Sequence, residues 1–281
     1  LLEYDDVMNI QREAIYKKRR NALSGDRLAV DLNTMFHSQI ENLVYKHKAE
    51  GDFTAFRREA LGTIGFDPEM DAIDFKEAPT DDVVERVEEQ FYEFYNRKND
   101  HISQLLLPQI KQVYETKGNH YKRILVPFSD GRSNPLVITA DIEKAIKTNG
   151  KSITRDIEKA VTLAIIDDKW KEHLRSMDEL KESVQAASFE QKDPLVIYKM
   201  EAYNLFEQLI FEVNEAVTSY LSKGTLVLPD GRPLEQAREQ KTDLSKVKTS
   251  RSETEDAARQ AAEAVSGRTK VETIKRTEEK V

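Results

Sequence analysis

The sequence contains no cysteine, and only 10 glycines and 8 prolines occur among its 281 residues. The absence of cysteine excludes a disulfide framework, a thiolate nucleophile and a cysteine-ligated metal site. No run of about 18 apolar residues is present, so no segment is expected to cross a bilayer as a helix. Glycine and proline together stand at about half of their average usage, which favours long, uninterrupted helices.

Charged residues are abundant, and their balance is acidic. The chain has 43 Lys and Arg against 51 Asp and Glu, which gives a net charge of −8. This balance argues against a nucleic-acid partner, because such binding depends on basic residues that neutralise phosphates. Residues 17–20 (Lys-Lys-Arg-Arg) form a basic cluster with three open interpretations: a solvated face, ion pairs with acids of another domain, or contact with an anionic membrane surface.

The spacing of apolar residues predicts a mainly α fold. Residues 1–50 predict one long helix, in which Gly25 is either tolerated or ends the first segment. Residues 51–120 predict a small helical subdomain, where Pro108 kinks or restarts a helix. Residues 151–222 predict two antiparallel helices, each about 45 Å long, joined by a short polar connection.

The rest of the chain lacks the helical spacing of apolar residues found in these segments. Residues 121–150 contain two apolar runs that predict two strands around a turn. Pro127 and Pro135 are expected at the edges of the sheet, because proline lacks the donor that a central strand uses. Residues 223–281 are polar and contain no aromatic residue, so a disordered tail is predicted.

The helical hairpin of residues 151–222 is the most clearly defined unit. Asp193 is expected to cap its second helix and Pro194 to begin it. Phe189, a large apolar residue in the polar connection, either folds back onto the hairpin or contacts a partner outside it. Periodicity predicts that the core side of the second helix carries Met200, Tyr203, Phe206, Ile210, Val213, Val217 and Leu221.

No catalytic constellation is recognisable in the sequence. Gly150-Lys151-Ser152 matches the end of a P-loop, but Ala145 stands where the motif needs glycine, so a loop that caps the next helix is favoured. No histidine pair has the spacing of a zinc site. Asp5-Asp6 and Asp167-Asp168 point about 100° apart on a helix, which favours solvated faces over catalytic pairs.

Three sequence blocks resemble the SecA family of bacterial preprotein translocase motors. Residues 2–20 resemble the start of the family's scaffold helix, residues 170–180 the first arm of its two-helix finger, and residues 191–206 the finger turn and second arm. The blocks follow the family's order at nearly its spacing. The resemblance assigns packing within the scaffold and finger, or contact with motor domains, to Tyr4, Asp5, Asp6, Gln11, Arg12, Trp170, His173, Met177, Asp178, Tyr198 and Phe206.

The resemblance also implies a domain organisation. Residues 1–50 and 151–222 would form the helical scaffold with its finger, and residues 51–120 the helical wing. Residues 121–150 would be a β-containing insertion, and residues 223–281 a variable linker. The family's nucleotide-binding and preprotein-binding domains would precede Leu1, so we expect the chain to be part of a longer protein. The chain alone would then hold no cofactor or metal and hydrolyse no ATP, whereas ATP and Mg would belong to the full-length parent.

The function implied by the resemblance is mechanical. The parent would push unfolded preproteins through the Sec channel from the cytoplasm, as a peripheral protein at the inner face of the plasma membrane. Its partners would be the upstream motor domains, the channel and the preprotein.

Phe189 replaces the tyrosine usual at the finger tip, and Ala187 replaces an arginine common there. The implied tip residues are Ser188, Phe189, Glu190, Gln191, Lys192 and Asp193. The alternative is an autonomous helical adaptor that binds protein partners through its hairpin and tail.

Overall fold

The computed structural model describes residues 2–117, 121–186 and 193–227, and it confirms the mainly helical fold class with a small sheet. Its elements in chain order are α1 (Leu2–Ser24), α2 (Leu28–Lys48), α3 (Phe53–Ile64), α4 (Ala72–Glu77), α5 (Thr80–Lys117), β1 (Arg123–Ser129), β2 (Leu136–Asp141), α6 (Ile142–Lys147), α7 (Lys151–Ala186), α8 (Pro194–Lys223) and β3 (Thr225–Leu226). The predicted tail beyond residue 227 lies outside the described residues.

The first 50 residues form two helices, so the alternative in which Gly25 ends the first segment is the one observed, and a single long helix does not form. Gly25 adopts a left-handed conformation with a φ of 79°, which glycine reaches without the steric penalty of a side chain. Its N–H donates to the carbonyl of Asn21 at 3.0 Å and ends α1. The break gives the two helices different partners, since α1 packs on α7 and α8 while α2 packs on α8, α5 and α3.

α2 and α5 run antiparallel and meet through aromatic side chains. Phe36 packs edge to face on Phe91 and Tyr95, with ring centroids 5.3 and 5.2 Å apart. Nearer the other end, the Tyr45 hydroxyl donates to Asp81 at 3.0 Å. The hydrophobic residues of the predicted wing region merge with those of α2 and α7 into one continuous core rather than forming a separate one.

α5 continues through Pro108, so the predicted restart of the helix does not occur. Proline removes one hydrogen bond from a helix interior. Leu106 and Ile110 on either side are fully buried in the core, and this packing holds the helix together across the lost bond.

β1 is the central strand of an antiparallel sheet with the order β2-β1-β3, although Pro127 within it was expected at a sheet edge. In an antiparallel strand the N–H and C=O of one residue point to the same neighbour. Because the Pro127 carbonyl accepts from Val227 of the β3 side at 3.0 Å, the missing donor also faces β3. β3 is only two residues long, so the lost bond falls where its ladder with β1 ends.

Residues 224–227 are folded, which corrects the prediction that the tail begins at residue 223. Thr225 and Leu226 pair with Ser129 and Phe128 of β1. The turn into β3 depends on Gly224, because a Cβ at this position would meet the ring of Phe128 at 2.3 and 2.5 Å. The polar composition of the tail as a whole led to the prediction of disorder, although this short apolar segment pairs with β1.

α7 and α8 form the predicted antiparallel hairpin. Asp193 accepts a hydrogen bond from the amide of Leu195 at 2.9 Å and Pro194 is the first helical residue, so both predictions for this helix start are confirmed. The predicted core side of α8 is wrong near its beginning. Met200 and Tyr203 are 63% and 61% exposed, whereas Tyr198 and Ala202 are buried, because α1 covers that side of the helix.

The far end of α8 is held by a partly buried lysine. Lys98 of α5 donates through Nζ to the carbonyls of Leu221 and Ser222, at 3.0 Å for the second. Carbonyls in the last turn of a helix lack partners within the helix, and they carry partial negative charge. Burial lowers the pKa of Lys98 to about 7, and either protonation state retains a donor for these carbonyls.

We predict opposite effects of alanine at two glycines. Gly224→Ala should lower the free energy of unfolding by about 1–3 kcal/mol, because the added Cβ would overlap the Phe128 ring. Gly62→Ala, at a helical position in α3 with open space around it, should raise this free energy by roughly 0.5–1 kcal/mol. Urea denaturation followed by circular dichroism measures both, and an unchanged midpoint for Gly224→Ala would contradict the described turn.

Candidate functional site

α1 lies along both arms of the hairpin. Tyr4 packs against Tyr198 of α8, with ring centroids 4.6 Å apart. Further along α1, Gln11 reaches Ala202 of α8, and Arg19 reaches Asp167 of α7. α1 is therefore parallel to α8 and antiparallel to α7. We call the contact of these three helices around Gln11 the three-helix junction.

The side-chain amide of Gln11 bonds to both arms of the hairpin. Its Nε2 donates to the backbone carbonyl of Ala202 at 2.9 Å. Its Oε1 accepts from Nε2 of His173 at 2.8 Å, so the imidazole carries a hydrogen on Nε2. Gln11 and His173 are each only 5% exposed. An unpaired buried polar group costs about 1–3 kcal/mol, so this arrangement strongly favours one register of the three helices.

Aromatic rings surround the imidazole of His173. Trp170 stacks on it with centroids 5.4 Å apart, and Phe206 of α8 meets it edge-on at 6.0 Å. Burial lowers the pKa of His173, because the charged imidazolium loses its hydration among these rings. The buried imidazole is therefore neutral at neutral pH.

A bidentate ion pair joins α1 and α7 beside the junction. Arg19 donates to both carboxylate oxygens of Asp167, through Nε at 2.8 Å and through an Nη at 3.2 Å. Both side chains are partly exposed, so the pair adds little free energy, but its fork geometry fixes the rotation of α1 relative to α7. Asp168 is exposed, so the solvated interpretation of the Asp167-Asp168 pair holds for Asp168 but not for Asp167.

A small separate hydrophobic cluster lies on the tip side of the junction. It consists of Met177 and Val184 of α7 with Tyr198 and Ala202 of α8, against which Tyr4 of α1 packs. Burial, together with the charges of Asp5 and Asp178, raises the pKa of the Tyr198 hydroxyl. The hairpin is thus braced by α1 well beyond the main core.

The structure brings together most residues assigned to the scaffold and finger. Seven of them meet at the junction or its small cluster: Tyr4, Gln11, Trp170, His173, Met177, Tyr198 and Phe206. Asp6 and Arg12 are exposed, and Arg12 donates a hydrogen bond to Asn9 of its own helix at 3.2 Å. Ser188, Phe189, Glu190, Gln191 and Lys192 lie outside the described residues. The hydrogen bond from Gln11 to the Ala202 carbonyl could not be predicted from the sequence, because every residue type carries a backbone carbonyl.

The turn at Gly150 has the structural role favoured from the sequence. Gly150 has a φ of 86°, and its N–H donates to the Ala145 carbonyl at 2.8 Å to end α6. The amide of Ser152 donates to Thr148 Oγ1 at 3.0 Å, which caps α7. Within the described ranges, no group of three or more metal-ligating side chains occurs. None of the helices described is long and apolar enough to traverse a bilayer.

We predict that acidification weakens the junction through His173. Because its folded pKa is lowered below the ordinary value of 6.5, the unfolded chain binds more protons below that pH. The free energy of unfolding should therefore fall as the pH decreases through 6.5, with a slope of up to about 1.4 kcal/mol per pH unit from this group.

The matched variant is His173→Gln, which keeps an amide donor but cannot titrate. Urea midpoints between pH 7.5 and 5.5 should fall less steeply in His173→Gln than in the wild type. His101→Gln, at an exposed position of α5, should retain the wild-type slope. Equal slopes in the wild type and His173→Gln would contradict the neutral buried imidazole.

Comparisons with known proteins agree on one family. The family model of the SecA Wing and Scaffold domain matches residues 1–225. A protein translocase subunit SecA of Christiangramia forsetii is 42% identical over 263 residues, covering 94% of this chain and 23% of the relative. The SecA of Flavobacterium psychrophilum is 41% identical over 80% of the chain and 20% of its own length. The SecA of Porphyromonas gingivalis is 36% identical over the whole chain and 27% of its own length.

The chain spans about a quarter of the length of the curated relatives it matches. The matched region contains all three helices of the junction and the whole described hairpin. The chain therefore belongs to the SecA family of protein translocase subunits, and it carries the wing and scaffold domain of that family.

Proposed function

We propose that this chain is the non-catalytic scaffold, wing and finger part of an ATP-driven motor. The motor pushes unfolded preproteins through the Sec channel, and the finger tip of residues 188–193 contacts the moving polypeptide. The observation that carries the proposal is the braced hairpin, whose arms α7 and α8 are about 54 and 45 Å long. Such a hairpin suits the transfer of a displacement to its tip.

The contact of α1 with both arms at the three-helix junction supports this mechanical role. Gln11 forms hydrogen bonds with both arms, and Arg19 pairs with Asp167. A movement of α1 would therefore move the hairpin as well. A mechanical part needs this stiffness, because a flexible hairpin would absorb the displacement instead of transmitting it. The three-helix junction therefore couples the scaffold helix to the tip.

The residue at the tip fits contact with many different sequences. Phe189 presents an aromatic ring, whose apolar contact does not depend on a particular partner side chain. The neighbouring tip residues are polar or charged, and they suit a passing chain that remains solvated. Relative to the tyrosine usual in the family, Phe189 keeps this contact and gives up the hydroxyl.

The proposal places the catalytic chemistry in the parent protein. ATP and Mg would bind motor domains outside this chain, and the chain alone would hydrolyse no ATP. The assembled protein would work in the cytoplasm, peripherally at the inner face of the plasma membrane. Arg19 of the basic cluster pairs with Asp167, whereas Lys17 and Arg20 are exposed on α1 and suit contact with anionic lipid.

We predict that Phe189→Gly in the assembled motor separates transport from ATP hydrolysis. Preprotein transport into membrane vesicles should fall roughly tenfold, the effect of losing about 1.4 kcal/mol of apolar contact. Basal ATP hydrolysis should change less than about twofold, since the substitution leaves the junction and the motor domains intact.

Phe211→Gly provides the matched control, because this phenylalanine is 45% exposed on α8 and lies 17 residues into the helix. The motor with Phe211→Gly should transport clearly more preprotein into the vesicles than the motor with Phe189→Gly. Equal loss of transport and ATP hydrolysis in Phe189→Gly, or no loss of either, would contradict the finger proposal. The latter result would favour the adaptor alternative.

A further inference from the structure

A cavity of about 560 Å³ opens between α2, α5 and the first eight residues of α7, none of which takes part in the hydrogen bonds of the junction. Its volume lies within the range of small-ligand sites, roughly 300–1,000 Å³. Apolar residues line its floor, and several amide, hydroxyl and charged groups converge on it from the three helices. Neither the junction nor the finger proposal gives this cavity a role.

One end of the cavity combines a carboxylate with aromatic rings. Glu158 of α7 accepts a hydrogen bond from the Tyr95 hydroxyl at 3.0 Å, and in the described part of the chain it has no ion-pair partner. Phe36 lies beside this group, with its ring centroid 5.2 Å from Tyr95 and 6.2 Å from Tyr92. An unpaired carboxylate next to aromatic rings is a favourable environment for an organic cation.

A bound cation would stabilise the charged form of Glu158, which burial disfavours. Burial raises the pKa of its carboxyl group, because the charged form loses hydration in the cavity. Tyr95 supplies one hydrogen bond, and the charge of Arg155 contributes only at longer range. A cation placed against the carboxylate would supply the missing partner.

The other end of the cavity has a different character. Lys151 and Arg155 precede Glu158 on α7 by seven and three residues, which places their backbones about 10 and 5 Å from it along the helix axis. Asp100 of α5 also lines the cavity, so this end carries two positive charges and one negative charge and is net positive. A second cationic group is therefore disfavoured there, whereas an amide or carboxylate is attracted. The ligand that fits has one cationic head, an apolar stem and a neutral or anionic far end.

We propose that this cavity binds an arginine or lysine side chain. The cationic head lies against Glu158 and the rings of Phe36, Tyr92 and Tyr95, and the backbone-like end of the ligand faces Lys151 and Arg155. A diamine, with a cation at both ends, fits the cavity poorly. The same chemistry is available from a free amino-acid derivative and from a residue within a polypeptide.

The test is isothermal titration calorimetry on the full 281-residue chain. The probe is Nα-acetyl-arginine, and Nα-acetyl-citrulline is its uncharged isostere. We expect saturable binding of the arginine derivative, at least about tenfold tighter than that of the citrulline derivative. Equal affinities for the two probes, or no saturable binding of the arginine derivative, would overturn the proposal.

Two variants assign the binding to this cavity. Glu158→Gln keeps an acceptor for Tyr95 but removes the charge, and it should weaken binding of Nα-acetyl-arginine about tenfold. Glu182→Gln, at an exposed position of the same helix, should bind as the wild type does. Thermal unfolding confirms that both variants fold, and unchanged affinity in folded Glu158→Gln would overturn the assignment.

A third probe distinguishes the sources of the side chain. It is an arginine between two glycines, acetylated and amidated at its ends. If this peptide binds at least as tightly as Nα-acetyl-arginine, the cavity takes an arginine within a polypeptide. If only Nα-acetyl-arginine binds, the cavity needs the free carboxylate at the Lys151 end, and the ligand is an amino-acid derivative.

Discussion

The hydrogen bonds of one buried amide determine how the hairpin is mounted. Gln11 donates to a backbone carbonyl of α8 and accepts from an imidazole of α7, so each arm bonds to the same side chain of α1. A shift of either arm by one residue would leave a donor or an acceptor unpaired among the rings of Trp170 and Phe206. The register of three helices from distant parts of the chain thus depends on a group with one donor end and one acceptor end.

α8 connects this junction to the rest of the fold. Near its start it packs in a small cluster with α1 and α7, whereas its end lies in the main core and leads through Gly224 into β3. Lys98 holds the last carbonyls from α5, and β3 pairs with β1. The helix is therefore attached near its start and at its end.

The sequence predicted those features that depend on neighbouring residues. The capping of α8 by Asp193 and the turn at Gly150 follow from local chemistry, and both agree with the structure. The features that it did not predict depend on distant partners. Pro127 fits a central strand only because β3 ends beside it, and Met200 is exposed because α1 covers the opposite side of α8. The cavity around Glu158 combines residues of three helices, so no local pattern indicates it.

The length of α8 and its anchorage at the β3 end have a geometric consequence. Its 30 residues span about 45 Å between Gly224 and Pro194. A rotation of only 5° about the anchored end would displace the opposite end by about 4 Å, which is roughly the length of one residue in an extended chain. Over a helix of this length, a small angular change at one end therefore corresponds to a displacement of about one residue length at the other.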